Sequence, residues 1–591
     1  MKMKGTFLIL LICFFLLLSL DNALARRGNN LEADSVYVAG QMILQFNAGI
    51  QVNKGSFSTP YLDSLNQLYS VQAFGPFYYM DDSTDMSLFQ ELGMDRIYLY
   101  IFPDTLDILD VSEQYKMSPA VKWAEPNYIA HVDYTPPDEY FHLQWGLHNI
   151  GQPPFYGYGG ADIDASRAWE VNDNDMPQIK IAIIDTGIDT LNWDLYTQVW
   201  HNPIDNTIDS VNQDHNYFVI PQYPNDTCYL TDDVWGWNFA DAGLYGYCGN
   251  NSPRPNKTPI EGYLAGFHGT AVSGVAGASA WTEKPPQPLR GVPQEIGIVG
   301  VDWNCKLISL RACNDDGNCP ATACGFSIQY AADKGADVIN MSFGGPFSNF
   351  RDNVAIPYAF RKGCVLVASM GNCYPVCDTI KYPAGDDSMV IAVGATNWFD
   401  NRWYYNQYNG SSAGRHIDVV APGESIFTDT WGIWPTERDS FDYQTGTSFS
   451  APYVSGEVAL IKGQYRKLYP YGQFTNKQLM NIIRWSAEDS MYNPVSDTTW
   501  DDSLYGYGRI NAFRGMLAVS RGEVNHDHVI SVADITYLVA YLFQGGPMPV
   551  PVKAIGDANC DGLVNVLDTV YLVNFLFKQG PKPGLCFRWY H

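Results

Sequence analysis

The stretch that most constrains this chain is Gly446-Thr447-Ser448-Phe449-Ser450-Ala451-Pro452-Tyr453-Val454-Ser455-Gly456, small residues leading into a serine and then into a helical pattern. A serine hydroxyl is inert at neutral pH until a base takes its proton. The first turn of a helix gives it exposure and unpartnered backbone N–H donors. Ser448 therefore reads as a candidate nucleophile. Pro452 is expected within that first turn, where its missing N–H costs nothing, and the helix is expected to run on through Leu460.

Two further segments supply what a serine needs. Ile179-Lys180-Ile181-Ala182-Ile183-Ile184 is a short β-branched run ending in Asp185-Thr186-Gly187, the pattern of a buried parallel strand that delivers a carboxylate at its end. His268-Gly269-Thr270-Ala271-Val272-Ser273-Gly274 places a histidine at the head of a small-residue helix. The order Asp, His, Ser is one of several in which the same catalytic geometry recurs. With Val338-Ile339-Asn340-Met341-Ser342-Phe343-Gly344-Gly345 and Val365-Leu366-Val367-Ala368-Ser369-Met370-Gly371-Asn372, these motifs make the chain resemble the subtilisin-like serine peptidases over residues 144–517.

The resemblance implies an α/β fold, a parallel-sheet catalytic domain flanked by helices over residues 138–518. It implies a secreted endopeptidase in which Asp185, His268 and Ser448 form the triad. Asn372 is implied as the oxyanion donor beside the Ser448 N–H. Ser342, Phe343 and Gly344, with Ser369, Met370 and Gly371, match two extended segments that sandwich a substrate strand and read its main chain. Lys381 matches the base of the primary specificity pocket, where it would favour an acidic side chain. Protein or peptide substrates are the implied partners. A catalytically silent binding protein on the same fold, or a peptide ligase using the same site, is the rival reading.

Residues 1–25 carry Lys2 and Lys4, an apolar run from Phe7 to Leu20 and Ala23-Leu24-Ala25, the form of a secretory signal peptide. The apolar run is shorter than a membrane span needs, and no later stretch approaches that length. A formal charge of −27 over 591 residues argues against nucleic acid or an anionic membrane as partner. Extracellular localisation follows as the expectation.

Residues 34–133 hold strand-like runs at 42–46 and 96–101 and helical patterns at 61–68 and 106–115. This small α+β block is similar to the inhibitory prodomains of subtilases, and Trp123-Ala124-Glu125-Pro126-Asn127-Tyr128 stands where such prodomains have a tail that threads the active cleft. A permanent N-terminal domain is the alternative. Pro136-Pro137 marks a linker, so cleavage is expected within 128–137.

Residues 191–267 read as an insertion rich in Asn, Asp, Pro, Trp and Tyr, expected mostly as surface loop. Asp194 within it matches a family calcium position. Phe267 stands where the family usually has a small residue, which reads as a local packing change. Setting Cys13 aside with the signal leaves eleven of the twelve cysteines, an odd number that leaves at least one thiol free or intermolecular. Zinc is the competing account for Cys313, Cys319 and Cys324 and for Cys373 and Cys377, although neither spacing gives paired Cys-x-x-Cys knuckles.

The tail repeats itself, Asp557 following Glu523 by 34 residues. Glu523, Asn525, Asp527, Val529, Ser531 and Asp534, and then Asp557, Asn559, Asp561, Leu563, Asn565 and Asp568, fall at positions 1, 3, 5, 7, 9 and 12 of two EF-hand-like loops, the residue at 7 offering its backbone carbonyl. Each loop leads into a helix. Tandem units of this kind resemble dockerin modules, which implies structural calcium over residues 521–591 and a cohesin-like or intramolecular partner; no cofactor is implied for catalysis. Gly562 sits at the sharp turn of the second loop, whereas the first has His528 there and the longer Glu523 at position 1. The second loop is expected to bind more tightly. Cys560 and Cys586 are candidates for a disulfide closing that unit.

Overall fold

A computed structural model describes residues 37–583 except 51, 54–55, 58–59, 79–85, 104–105, 107, 129–135, 172–175, 206–212, 215–216, 220–226, 241–247, 256–265, 281–296, 350, 373–379, 387, 407–408, 431–439, 471, 473, 489–501, 526, 528, 545–546, 551–552, 561–562 and 579. The signal-like segment 1–25, most of the expected cleavage window, and His528, Asp561, Gly562, Cys373, Cys377 and Cys586 lie outside the described residues. The chain divides into two compact units, residues 1–132 and 133–591.

The first unit has β1 (Tyr37–Phe46), α1 (Pro60–Leu68), β2 (Ala73–Pro76), β3 (Ile97–Ile101), α2 (Ile108–Lys116) and β4 (Val121–Tyr128). The sheet order is β2-β3-β1-β4, all antiparallel. Met42, Leu44 and Phe46 alternate along β1 and all face the core, where Tyr100, Phe102 and Tyr115 close over them. The Tyr115 hydroxyl donates to Asn66 Oδ1 at 2.7 Å, tying α2 to α1.

One expectation is corrected here. Glu125 and Pro126 are not a free tail: they belong to β4, where Glu125 pairs with Ile43 and Pro126 with Met42 of β1. Pro126 is tolerated because β4 is an edge strand, whose outer side needs no N–H donor. Any segment that leaves this sheet begins after Tyr128.

In the second unit the central sheet is parallel and seven-stranded. Its strands are β5 (Lys180–Asp185), β6 (Gly236–Asn238), β7 (Lys306–Arg311), β8 (Val338–Met341), β9 (Val365–Ser369), β10 (Val390–Thr396) and β11 (Val419–Pro422), in the order β6-β7-β5-β8-β9-β10-β11. Period-two alternation sends Ile181 and Ile183 to one core and Ala182 and Ile184 to the other. Both faces of a parallel sheet must be covered, so its strands read as continuous apolar runs. Each buried isoleucine contributes roughly 1.5–3 kcal/mol. Helices α3 (His268–Gly277) and α5 (Thr447–Leu468) belong to the first face and α4 (Ala321–Asp333) to the second.

The segment 191–267 also departs from expectation. Among its described residues it is more buried than a surface loop: it supplies the edge strand β6 and buries Leu195, Trp200, Leu230, Trp237 and Phe239. Gly236 has φ +125°, and a Cβ there would stand 1.9 Å from the Ser309 carbonyl oxygen of β7, so only glycine lets this strand join the sheet.

After α6 (Ala512–Ser520) come α7 (Val532–Gln544) and α8 (Val566–Lys578), each led in by one of the acidic loops. Leu538, Ile555 and Leu572 join the same apolar core as α3 and α5. Lys582 Nζ donates to the Tyr465 hydroxyl at 2.6 Å and lies 4.5 Å from the Tyr469 ring centre, fixing the tail to the end of α5. Disulfides join Cys228 to Cys248 and Cys313 to Cys319, and Cys560 is also disulfide-bonded. The zinc alternative falls for Cys313 and Cys319, which are paired with each other; Cys305, Cys324 and Cys364 are buried free thiols.

Candidate active site

Asp185 is the last residue of β5, at the carboxyl edge of the sheet where strands on either side diverge in chain order. This is where open α/β sheets place their ligands. The register aligns the neighbouring strand ends: Met341 lies opposite Ile184, and Ala368 opposite Met341, so Ser342 and Ser369 emerge at the same edge. Asp185 is buried, and its Oδ1 accepts the Thr186 N–H at 2.7 Å.

His268 opens α3. The Gly269 N–H donates to Thr186 Oγ1 at 3.0 Å, and a Cβ at Gly269 would meet the Gly187 carbonyl at 2.4 Å, so this glycine lets the helix start against the end of β5. Phe267, the unusual neighbour, packs against the main core as expected. His268 Nδ1 stands 2.9 Å from Asp185 Oδ1 and 3.0 Å from Oδ2. Burial disfavours the imidazolium, but the charge of Asp185 and its hydrogen bond outweigh that cost and hold the histidine pKa above its ordinary value.

Ser448 is the second residue of α5. Gly446 precedes the helix at φ +148°, and a Cβ there would stand 2.9 Å from Asn372 Nδ2. Pro452 is not in the first turn, as the sequence suggested, because the helix begins at Thr447 and puts the proline inside the second turn. The consequence is local. A proline has no N–H to give the carbonyl four residues back, so the Ser448 carbonyl loses its helical donor. Ser342 Oγ supplies one at 2.8 Å. Behind it the donors run in one direction: Ser455 Oγ to Asn340 Oδ1 at 2.9 Å, and Asn340 Nδ2 to Ser342 Oγ at 3.0 Å. Ser448 Oγ in turn donates to the Ser342 carbonyl at 3.2 Å. No hydrogen bond joins Ser448 to His268; catalytic contacts are often loose before substrate arrives.

Asn340 and Ser455 were missed as support for this serine. The proline four residues past Ser448 was the available signal.

Asn372 is held by its carbonyl. Oδ1 accepts both the Thr447 N–H and the Thr447 hydroxyl at 2.9 Å, which fixes Oδ1 as the acceptor and leaves Nδ2 as the donor beside Gly446. Lys381 lies between the two extended segments, its Cβ 3.4 Å from a Cβ built at Gly344 and its Cγ 3.3 Å from one built at Gly371.

A cleft of about 700 Å³ is lined by Asp185, His268, the disulfide-closed loop at Cys313 and Cys319, and Ser342, Phe343, Gly344 and Phe347. Among the described residues, Phe343 and Gly344 make no backbone–backbone hydrogen bond outside the strand ladders, leaving an edge on that wall. The second expected segment is different. Met370 is fully buried and donates its N–H to the Val393 carbonyl; Gly371 donates to Thr447 Oγ1 and accepts from the Ser412 N–H. Its strand pairing is already taken by β10 and neighbouring loops, so Met370 and Gly371 are not a free edge for a peptide, and Ser369 is buried with them.

The expected metal ligands fall in two places. Asp194 is buried, accepts the Ile298 N–H at 3.0 Å, and joins no group of three metal-ligating side chains among the described residues. In the tail, Asp534 accepts the N–H groups of Val524 and Ser531, and Asp568 those of Asn559 and Asn565. Position 12 thus accepts two N–H groups in each loop, the position-9 N–H in both and a position-2 or position-3 N–H besides. Glu523 Oε1 accepts the Asp527 N–H at 2.9 Å and Asp527 Oδ1 the Val529 N–H at 3.0 Å. Asp557, at position 1 of the second loop, receives a hydrogen bond from Arg521, a cation the sequence reading did not foresee there.

Residues 177–508 match the family model described as the Subtilase family. The chain is 28% identical over 399 residues to the thermophilic serine proteinase of Bacillus sp. (strain AK1), covering 68% of this chain and 73% of that protein. It is 29% identical to thermitase of Thermoactinomyces vulgaris over 383 residues, 65% of this chain and 99% of thermitase. Subtilisin DY of Bacillus licheniformis matches at 34% over 246 residues, 41% of this chain and 75% of that protein. Strand order, the carboxylate-bound histidine and these matches agree: the chain belongs to the subtilase family and is a serine-type endopeptidase.

Proposed function

We propose that this chain is a secreted endopeptidase that cleaves proteins through an acyl-enzyme on Ser448 and is made as a precursor inhibited by residues 34–133. The observation that carries the catalytic part is the imidazole of His268, held by both carboxylate oxygens of Asp185 at the strand edge where α5 presents Ser448.

In this reading Ser448 Oγ turns from the Ser342 carbonyl toward His268 Nε2, gives up its proton there and attacks the substrate carbonyl carbon. Negative charge moves onto the carbonyl oxygen, facing Asn372 Nδ2 and the Ser448 N–H, which lies in the first helical turn and has no intrahelical partner. The C–N bond breaks as His268 returns the proton to the leaving amine. Water then repeats the sequence on the ester and restores the serine. The substrate strand lies along Phe343 and Gly344, and Lys381 favours an acidic side chain beside the scissile bond.

Residues 34–133 act as the prodomain, a reading supported by a compact unit with its own core ahead of the Pro136-Pro137 linker. The tail binds calcium. Its donors are oxygens, and the repeated acceptance of two loop N–H groups by Asp534 and Asp568 suits loops that close on a hard cation. Its partner is the catalytic domain itself, as the Lys582 contact with α5 supports; the cohesin-like partner has no such support.

A serine-directed phosphonate probe tests the core of this reading. The wild-type chain takes up one label and Ser448→Ala takes none, and the purified Ser448→Ala protein retains residues 34–133. A chain that matures normally with alanine at 448, or a wild type that never labels, overturns it.

A further inference from the structure

The cleft beside His268 is lined on one side by Ser342 to Gly345 and on another by the segment from Cys313 to Ala321, which the Cys313–Cys319 disulfide closes on itself. The first residues of that second wall are bonded to the turn that carries Asp185. The Ala312 and Cys313 N–H groups donate to the Asp185 carbonyl at 2.9 and 3.0 Å. Arg311 Nε donates to the Thr186 carbonyl at 3.2 Å, and its Nη2 to Asp315 Oδ1 at 3.0 Å. Cys313 and Asp315 are accordingly buried.

Beyond Asp315 the hold is weaker. Asp316, Gly317 and Asn318 are exposed, and the turn they make is closed on Asn314, whose Oδ1 accepts the Asp316 and Asn318 N–H groups at 3.1 and 2.9 Å on the solvent side. Hydrogen bonds that water can replace restrain a loop little. Pro320 then leads into α4 with no side-chain cap. The covalent link from Cys319 back to Cys313 is therefore what fixes the outer part of this wall to the Asp185 turn, by removing conformations the loop would otherwise visit. An extended peptide lying along Phe343 and Gly344, the strand placement proposed above and the one this argument rests on, passes between the two walls. A wall that is free to move must be ordered when such a peptide binds, and the entropy lost lowers affinity. A substrate too short to reach between the walls escapes that cost.

We infer that the Cys313–Cys319 disulfide is a specificity determinant of this peptidase: by holding the outer wall of the cleft it selects extended peptides over short acyl substrates, and a dithiol reductant switches that preference off. Cys319 is the sulfur a reductant meets, being partly exposed where Cys313 is buried. The reductant's thiolate attacks Cys319 Sγ, the S–S bond breaks, and Cys313 leaves as a thiolate that takes up a proton. The second thiolate of the reductant then displaces Cys319, which is protonated in turn, and closes a cyclic disulfide; two electrons have passed from the dithiol to the cysteine pair. Cys324, a free thiol in α4, stays out of this exchange, because burial pushes its pKa up to about 12 and leaves almost none of it as thiolate.

The test compares an internally quenched octapeptide with a nitrophenyl ester of the single residue that precedes its scissile bond, on the mature wild type and on a Cys313→Ser, Cys319→Ser double variant. The ratio of kcat/KM for the octapeptide to that for the ester is expected to fall about tenfold in the double variant, through KM. Dithiothreitol is expected to bring the wild type to the same ratio while leaving the ratio of the double variant where it was, which separates this disulfide from Cys228–Cys248. Alkylation and mass spectrometry of the treated wild type should show Cys313 and Cys319 labelled in step with the fall, a measurement that stands even if the double variant does not fold. An unchanged ratio once both cysteines are labelled, equal losses on the two substrates, or cysteines that dithiothreitol never exposes to label would each overturn the inference. A wild type with no preference for the octapeptide at all would overturn the strand placement along Phe343 and Gly344 together with it.

Discussion

At the scale of single residues, Pro452 decides how Ser448 is held. Its missing N–H opens the Ser448 carbonyl, and the Ser455–Asn340–Ser342 relay fills the gap from strand β8. Aligned donors in a buried place strengthen one another. Removing the last donor, with Ser342→Ala, leaves the part-buried Ser448 carbonyl without its partner at a cost of about 0.5–1.5 kcal/mol, part of which falls on the position of Ser448. The variant should lose roughly tenfold in kcat with KM little changed; equal loss of kcat with a rising KM would mean that Ser342 acts on substrate and not on Ser448. His268 gives a second expectation. Its pKa is raised by Asp185 against the opposing effect of burial, and it must be neutral to accept a proton, so the acid limb of kcat/KM should lie above the ordinary histidine value near 6.5. Asp185→Asn should move that limb downward as well as slow the reaction, and a limb that stays put would refute the coupling. For stability the sign is opposite: a raised histidine pKa stabilises the folded chain below about pH 6.5, and that contribution fades as pH rises through the folded value. The pairing of Asp185 with His268 was legible because the chemistry of the proposed triad demands particular residue types at the ends of recognisable elements. The relay was not, since Asn340 and Ser455 reach Ser448 only through the fold, and Met370 shows the reverse, a motif residue whose N–H the sheet had already claimed.

At the scale of elements, α5 is buried along nearly its whole length, and it carries one group that does not belong in such a place. Glu457 is fully buried and neither carboxylate oxygen has a partner. Burial pushes its pKa well above the carboxylate range, so the folded state keeps a proton that the unfolded chain releases above about pH 4.3. Stability therefore falls as pH rises through that window, by up to about 1.4 kcal/mol per unit. Glu457→Leu, similar in size and free of unmet hydrogen bonds, should stabilise the Ser448→Ala protein by about 1–3 kcal/mol. The gain should be larger at pH 8 than at pH 4, read from denaturant melts, and parallel pH profiles for the two proteins would show that Glu457 finds a partner in solution. The strands of the central sheet were readable as apolar runs because both of their faces are covered. Strand β6 was not: three residues, Gly236, Trp237 and Asn238, lie in a stretch whose Asn, Asp and Tyr content reads as loop. The Gly236 contact with Ser309 that admits the strand is invisible in the sequence. The same limit hid β4, whose Pro126 argues against a strand until the edge position is known.

At the scale of the whole molecule, the acidic tail is built into the catalytic unit. Leu538, Ile555 and Leu572 share its apolar core, the Gly522 N–H donates to the Ile555 carbonyl, and Lys582 lies over Tyr465 and Tyr469 at the end of α5. Whatever orders the loops should therefore register in the stability of the peptidase, by the ordinary linkage of a ligand that binds the folded state alone. At calcium a hundredfold above its dissociation constant that linkage is worth about 2.7 kcal/mol for one site. Two features of the loops act in opposite directions. On the proposed calcium reading, Glu523 and His528 would weaken the first, while Arg521, hydrogen-bonded to the position-1 carboxylate of the second, would have to yield to an ion. Arg521→Ala should thus tighten the second loop and widen the difference between the two. Asp568→Ala should remove both N–H acceptors that organise that loop and abolish most of the tail's share of the calcium-dependent rise in Tm. The measurement is thermal melting of full-length Ser448→Ala protein with calcium and with chelator, in each variant. A Tm shift of the same size in Asp568→Ala as in the parent would remove calcium from the tail, leaving α7 and α8 as a helical pair held by their apolar faces and by Lys582 alone.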